Sequence, residues 1–199
     1  MVEFGSNGSV AAPAKRPAGV SGYAVSTKTR FKRIGLASFL CGVGACISVA
    51  LIGVILLFIG FQTADLLGRD ASLIFGESGF LTGVGMAVLM SAMNWYFGYF
   101  TIPAAAIVLA FSLGRFPRRG ITYPAPYYRW GALWGALLVG GTTSVAAYFI
   151  AGDERHVAAF GALLTGALIG AIAGLACGAI FRGIVRPAEQ VRQIQVDVF

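Results

Sequence analysis

The sequence predicts an all-α, polytopic membrane protein, a four-helix transmembrane bundle with short loops, and three observations carry that prediction. The 199 residues are 57% hydrophobic and 12% charged, with a mean hydropathy of +0.79, too apolar for a surface that meets water. Lys, Arg, Asp and Glu leave four gaps, at 35–64, 78–114, 130–152 and 156–181, each long enough for the ~20 residues that carry a helix across ~30 Å of hydrocarbon. The sign of the charge then alternates between the segments that separate the gaps, as expected when basic residues are retained on the side of synthesis.

The segment 1–33 begins "MVEFGSNGSVAAPAKRPAGV" and is small, polar and punctuated by Pro and Gly. It has too little apolar surface to offset the entropy of ordering, so it is expected to be a disordered basic N-terminal tail. Being basic and nearly free of acids, it also has the composition of a mitochondrial targeting segment. The first span is expected at 34–61; a secretory signal would have only a short basic stretch before its apolar core, so this span is expected to remain as an anchor.

The second gap is too long for one ordinary crossing and too short for two. As a single helix, 78–114 would reach roughly 55 Å at ~1.5 Å per residue. The stretch "NWYFGYFTIP" lies in its middle. Trp95, Tyr96 and Tyr99 are residue types that settle at the membrane–water boundary. The crossing is therefore expected at 95–113, kinked at Pro103 by the loss of a ladder hydrogen bond. The preceding apolar segment, 80–93, is expected to dip into or lie along the outer leaflet. The rival reading is one long tilted helix.

The third and fourth spans are expected at 130–150 and 157–180. Both must be helices, because an isolated strand leaves its edges unpaired in lipid. The bundle as a whole is expected over 34–184, with a C-terminal tail at 185–199. There Ile194, Val196 and Val198 alternate with polar residues, a strand period that suits either addition to a partner's sheet or an unstructured end.

Orientation follows from the flanking charge. Lys15, Arg16, Lys28, Arg30, Lys32 and Arg33 oppose Glu3 in the first tail, and Arg115, Arg118, Arg119 and Arg129 stand unopposed in the middle loop. The other two loops are net acidic: Asp65, Asp70 and Glu77 outweigh Arg69, and Asp153 and Glu154 outweigh Arg155. The last tail is net basic, with Arg182, Arg186 and Arg192 against Glu189 and Asp197. Both termini and the middle loop are therefore expected in the cytoplasm of a cell whose inner membrane holds the chain, the bacterial cytoplasmic membrane. The alternative is the mitochondrial inner membrane with the termini in the matrix. The formal charge of +7 is accounted for by this sorting. No nucleic-acid partner is expected, since no folded basic domain accompanies the charge.

Within the fourth span, Ala158, Ala162, Gly166, Gly170, Gly174 and Gly178 recur every four residues. Lipid supplies no hydrophobic force between helices, so they associate where small side chains admit a close backbone. This glycine-zipper row is expected to pack a helix of the same bundle or of another subunit. Shorter small-residue steps occur at Ala37, Cys41 and Ala45 and at Gly131 and Gly135. At an offset of 96 residues, seven of eighteen positions agree, Arg33 with Arg129 through Ala50 with Ala146. Either a 2+2 parallel repeat about an axis along the membrane normal or coincidence in a Gly-, Ala- and Val-rich chain accounts for them.

Chemistry inside a membrane usually requires ionisable groups within the spans, and the spans contain none. Asn94, Thr142, Thr143 and Ser144 are the polar residues that draw notice. An asparagine that glues helices and hydroxyls bonded one turn back explain them more simply than a lined site or a cation site. His156 lies among Asp153 and Glu154, and a metal site would need Asp65, Asp70 and Glu77 to converge on it; a hydrated loop is the simpler reading, and no metal or cofactor is expected. Cys41, Cys46 and Cys177 read as small, reduced packing residues.

The loop 114–130, "GRFPRRGITYPAPYYRW", holds three prolines and several aromatics among its arginines. Arg115, Arg118, Arg119, Tyr127, Tyr128, Arg129 and Trp130 are the candidates for contact with lipid headgroups or a partner. A glycine-rich four-span chain of this length resembles, in span number and glycine content only, the protein-translocase subunits of the mitochondrial inner membrane. No motif residue carries that resemblance, and it implies no activity or site. The expectation is a non-enzymatic small integral membrane subunit, structural or accessory, within a larger inner-membrane complex. Its partners would be membrane lipids and other integral membrane subunits. The alternative is a component of a transporter, pore or translocase-like assembly.

Overall fold

The computed structural model describes residues 33–66, 79–118, 121 and 123–186, with the side chains of 117 and 118 excepted. The tails at 1–32 and 187–199, including the strand-like 194–198, lie outside the described residues, as do Asp70, Glu77 and Arg119. Among the described residues the protein is all-helical, without strands. Its elements are α1 (Ile34–Leu66), α2 (Gly79–Ala92), α3 (Gly98–Ser112), the single turn α4 (Arg115–Arg118), α5 (Ala125–Ile150), a 3₁₀ turn (Gly152–Glu154) and α6 (Arg155–Val185).

Three helical runs are long and apolar enough to cross a membrane, Ile34–Leu66, Ala125–Ile150 and Gly152–Val185. The helices α2 and α3 are apolar but shorter. The long second gap is broken by turns at 93–97, which removes the single long helix and starts α3 at Gly98, three residues beyond the expected 95. The break lies beside the middle of α1: the Asn94 side-chain amide donates to the Cys46 carbonyl at 3.3 Å, about 18 Å along the axis from Ile34 at ~1.5 Å per residue.

From that break the two short helices follow α1 in opposite directions. A Cβ on Gly53 would strike the backbone at Ser91 and Ala92, one on Gly42 would come within 2.6 Å of the Ile102 carbonyl oxygen, and Gly114 lies against Ile34. At its other end α2 meets the start of α6, where Glu154 accepts a hydrogen bond from the Gly79 amide. Thus 80–93 is a helix clasped between α1 and α6, which corrects its placement along a leaflet surface. Trp95, Tyr96 and Tyr99 are exposed but sit at mid-height of α1, so they mark no end of the bundle.

The third helix begins at Ala125, inside the stretch read as loop. Pro124 and Pro126 suit a first helical turn, where the missing N–H has no helical partner to lose. The first and last helices are likewise longer than the charge gaps, reaching Leu66 and Val185. Ala37, Leu113, Tyr127 and Val185 share one buried cluster, so the first and last described helix ends and the α3–α5 connection lie at one end of the molecule. The 96-residue offset carries Arg155, the first residue of α6, onto Ile59, still inside α1. The likeness between α1 and α5 therefore does not extend to the helices that follow them.

Candidate functional site

The closest packing is between α5 and α6, and glycine makes it on both sides. A Cβ on Gly170 would strike the Gly135 carbonyl, one on Gly174 the Gly131 carbonyl, and one on Gly166 the Thr143 hydroxyl. One on Gly178 would lie 2.9 Å from the Tyr127 carbonyl oxygen. The relation is mutual, since Gly131 and Gly135 meet the carbonyls of Gly174 and Gly170. Thr143 Oγ1 lies 2.8 Å from its own helix's Val139 carbonyl and 3.0 Å from the Ala162 carbonyl of α6. Thr142 bonds one turn back to Leu138, so these hydroxyls serve helix backbone.

The six-residue row does not present one face. Four residues turn a helix about 40° past a full revolution, so five such steps sweep roughly 200°. Ala158 accordingly faces α2, where its carbonyl bars any Cβ on Gly83. Ala162 lies in a cluster with Ala87 of α2 and Ala147 of α5. Gly161, outside the row, faces the Phe80 carbonyl. One helix edge therefore serves two neighbours in turn.

The candidate headgroup residues divide. Arg115, Arg129 and Trp130 are exposed and Tyr128 is half-buried, its ring 5.9 Å from the Arg182 guanidinium carbon. Tyr127 is fully buried, which corrects its reading as a headgroup anchor. Its ring stacks on Phe181 at 6.0 Å and meets Phe116 edge-on at 5.4 Å, while its hydroxyl donates to the Ile121 carbonyl at 2.7 Å. The described part of the loop is thereby drawn down onto the bundle.

At the other end His156 is exposed with its ring against Tyr148, and Glu154 is engaged with Gly79. Among the described residues no three His, Cys, Asp or Glu side chains gather. The cysteines hold a contact that sequence spacing did not indicate: Cys41 donates to the Cys177 carbonyl at 3.4 Å and Cys177 to the Cys41 carbonyl at 3.3 Å. Neither their separation along the chain nor their flanking residues signals this meeting of α1 and α6.

A cleft of about 390 Å³ opens where α3 and α5 stand apart on the α1–α6 floor. Ala105, Gly135, Gly170 and Ala173 line it, and their small side chains leave the volume that bulkier ones would fill. Almost all of its surface is apolar, and three of its polar atoms stand apart: Ser91 Oγ, Thr101 Oγ1 and Trp134 Nε1 are buried without a hydrogen-bond partner among the described residues. Asn94 also lines it, already bonded to α1. The sequence analysis passed over Trp134, although a tryptophan inside an apolar span carries a donor that lipid cannot satisfy. No protein-family model, curated protein or solved structure matches the chain.

Proposed function

We propose that this chain is a non-enzymatic integral membrane subunit that crosses the bilayer four times, with α2 and α3 together making the second crossing, and that it packs within a larger membrane assembly. The observation that carries the reading is the contrast between its inner and outer surfaces. The glycine edges are used inside the chain, whereas α1 turns Phe39, Ile47, Leu51, Ile55 and Phe58 outward, an apolar face suited to lipid or to another membrane helix and to nothing aqueous.

Charge supports the orientation. Arg33, Arg115, Arg129, Arg182 and Arg186 belong to the end where Ala37, Leu113 and Val185 meet, while Asp65, Asp153 and Glu154 belong to the other helix ends. The reading places the arginine end and both termini in the cytoplasm of a bacterial cell. Of the partner contacts, the exposed Arg115 and Arg129 are the ones assigned to anionic headgroups or an acidic neighbouring subunit.

Native electrophoresis and crosslinking of membranes solubilised in mild detergent test the assembly. The expected result is a discrete species well above the 20.8 kDa chain, containing a second integral protein in fixed stoichiometry. It should dissociate when Arg115 and Arg129 are replaced by Gln. A chain that migrates alone under every mild condition, with no crosslinked neighbour, would show that it is no subunit.

A further inference from the structure

We propose that the cleft between α3 and α5 binds an uncharged, membrane-dissolved molecule with carbonyl oxygens on an apolar ring, of the quinone class. The inference concerns this chain's own interior and does not depend on any partner subunit.

Its volume, about 390 Å³, falls within the ~300–1,000 Å³ of small-molecule sites, which are mostly apolar with a few placed polar groups. The chemistry of those groups selects the ligand. Trp134 Nε1–H only donates, and the Ser91 and Thr101 hydroxyls donate as well as accept. All three are buried without a partner among the described residues, and they come from α5, α2 and α3, the elements around the cleft. Ser91 is only 2% exposed. A hydrocarbon chain would leave each unpaired, at a cost of about 1–3 kcal/mol apiece.

A ligand with acceptor oxygens removes that cost, and a carbonyl is the acceptor that brings no charge. Charge is disfavoured because no ionisable side chain of Asp, Glu, Lys or Arg lines the cleft, and an unpaired ion in an apolar site is costly. Phe97, Phe100 and Trp134 supply aromatic walls, which suit a flat ring in stacked or edge contact. Access is lateral. Phe97 and Phe100 at the rim are largely exposed, and the weak contact of α3 with α5 leaves the opening on the bundle's outer surface.

The probe is a short-tailed benzoquinone titrated into the full chain in detergent micelles, with Trp95→Phe and Trp130→Phe leaving Trp134 as the sole tryptophan. Both replaced residues are exposed. Saturable quenching of Trp134 at one quinone per chain is expected. Thr101→Val and Ser91→Ala should each weaken the midpoint by roughly two- to tenfold, the worth of one hydrogen bond. The unsubstituted chain supplies a second readout, a quinone-dependent rise in its thermal transition. Linear, unsaturable quenching with no thermal shift would overturn the proposal. So would displacement of the quinone by equimolar uncharged diacylglycerol, which would assign the cleft to the ester carbonyls of lipid. Failure here leaves the electrophoretic test of assembly unaffected.

Discussion

Gly174 shows how one absent methyl group sets a helix distance. Its Cβ position is taken by the Gly131 carbonyl and lies 3.0 Å from Ala132 Cα, so a side chain there meets backbone and cannot be relieved by a rotamer change. Gly174→Leu is expected to destabilise the isolated protein by on the order of 3 kcal/mol, the upper range for overpacking. Ile172→Leu, at a position half exposed on the same helix, should change little. Thermal denaturation in detergent checks the pair, and equal transitions in both variants would remove the α5–α6 seam as the source of stability. At this scale the sequence was informative about size, because glycine at a fixed spacing is visible in a string. It was silent about Tyr127, which composition places at a headgroup and packing places beneath Phe116 and against Phe181. An aromatic with one polar atom suits both environments, and only the carbonyl of Ile121 within reach of its hydroxyl decides.

Among the elements, α2 is the one whose position depends most on its neighbours. Fourteen apolar residues do not span a bilayer, and so short a helix has little stability by itself. It is held by Glu154 at its first amide and by Gly83 against Ala158 at its first turns, with Ala92 against Gly53 at its end. Gly83→Leu should push α2 off α6 while leaving the α5–α6 pair together, because the latter's contacts involve other residues. Hydrogen exchange of the full chain in micelles is the measurement. Amides of α2 are expected to lose protection by at least tenfold, with those of 166–178 unchanged, and uniform loss throughout would mean that the helices unfold as one unit. The break between α2 and α3 was partly legible. The excess length of the uncharged gap required some interruption, and Asn94 with the aromatics marked its place. Its depth was not legible, since aromatic residues signal a membrane boundary only where a boundary exists, and the bond from Asn94 to Cys46 fixes the turn halfway along α1.

For the whole molecule the testable quantity is which ends share a side. The clustering of Ala37, Leu113, Tyr127 and Val185 brings the arginine-bearing segments together, and the alternating charge assigns that end to the side of synthesis. In a chain with Cys41, Cys46 and Cys177 replaced by Ala, Ser26→Cys and Ala125→Cys are expected to react with an impermeant thiol reagent from the same face. Asp153→Cys should react only from the opposite face. Reaction of Ser26→Cys and Ala125→Cys from opposite faces would exclude four crossings.

By itself the sequence determined the solvent, the helical class and the approximate ends of three long helices, because these depend on quantities summed along the chain: hydropathy, charge and the length of uncharged runs. The alternation of loop charge belongs with them, as does the presence of a small-residue edge. Tertiary structure alone decided which backbone each glycine meets and how the row from Ala158 to Gly178 passes from α2 to α5. It also brought Cys41 to Cys177 and left Ser91, Thr101 and Trp134 around one cleft. The physical reason is rotational. An apolar helix in lipid has no polar side to show which face turns inward, so its neighbours become known only when the close backbone contacts are made.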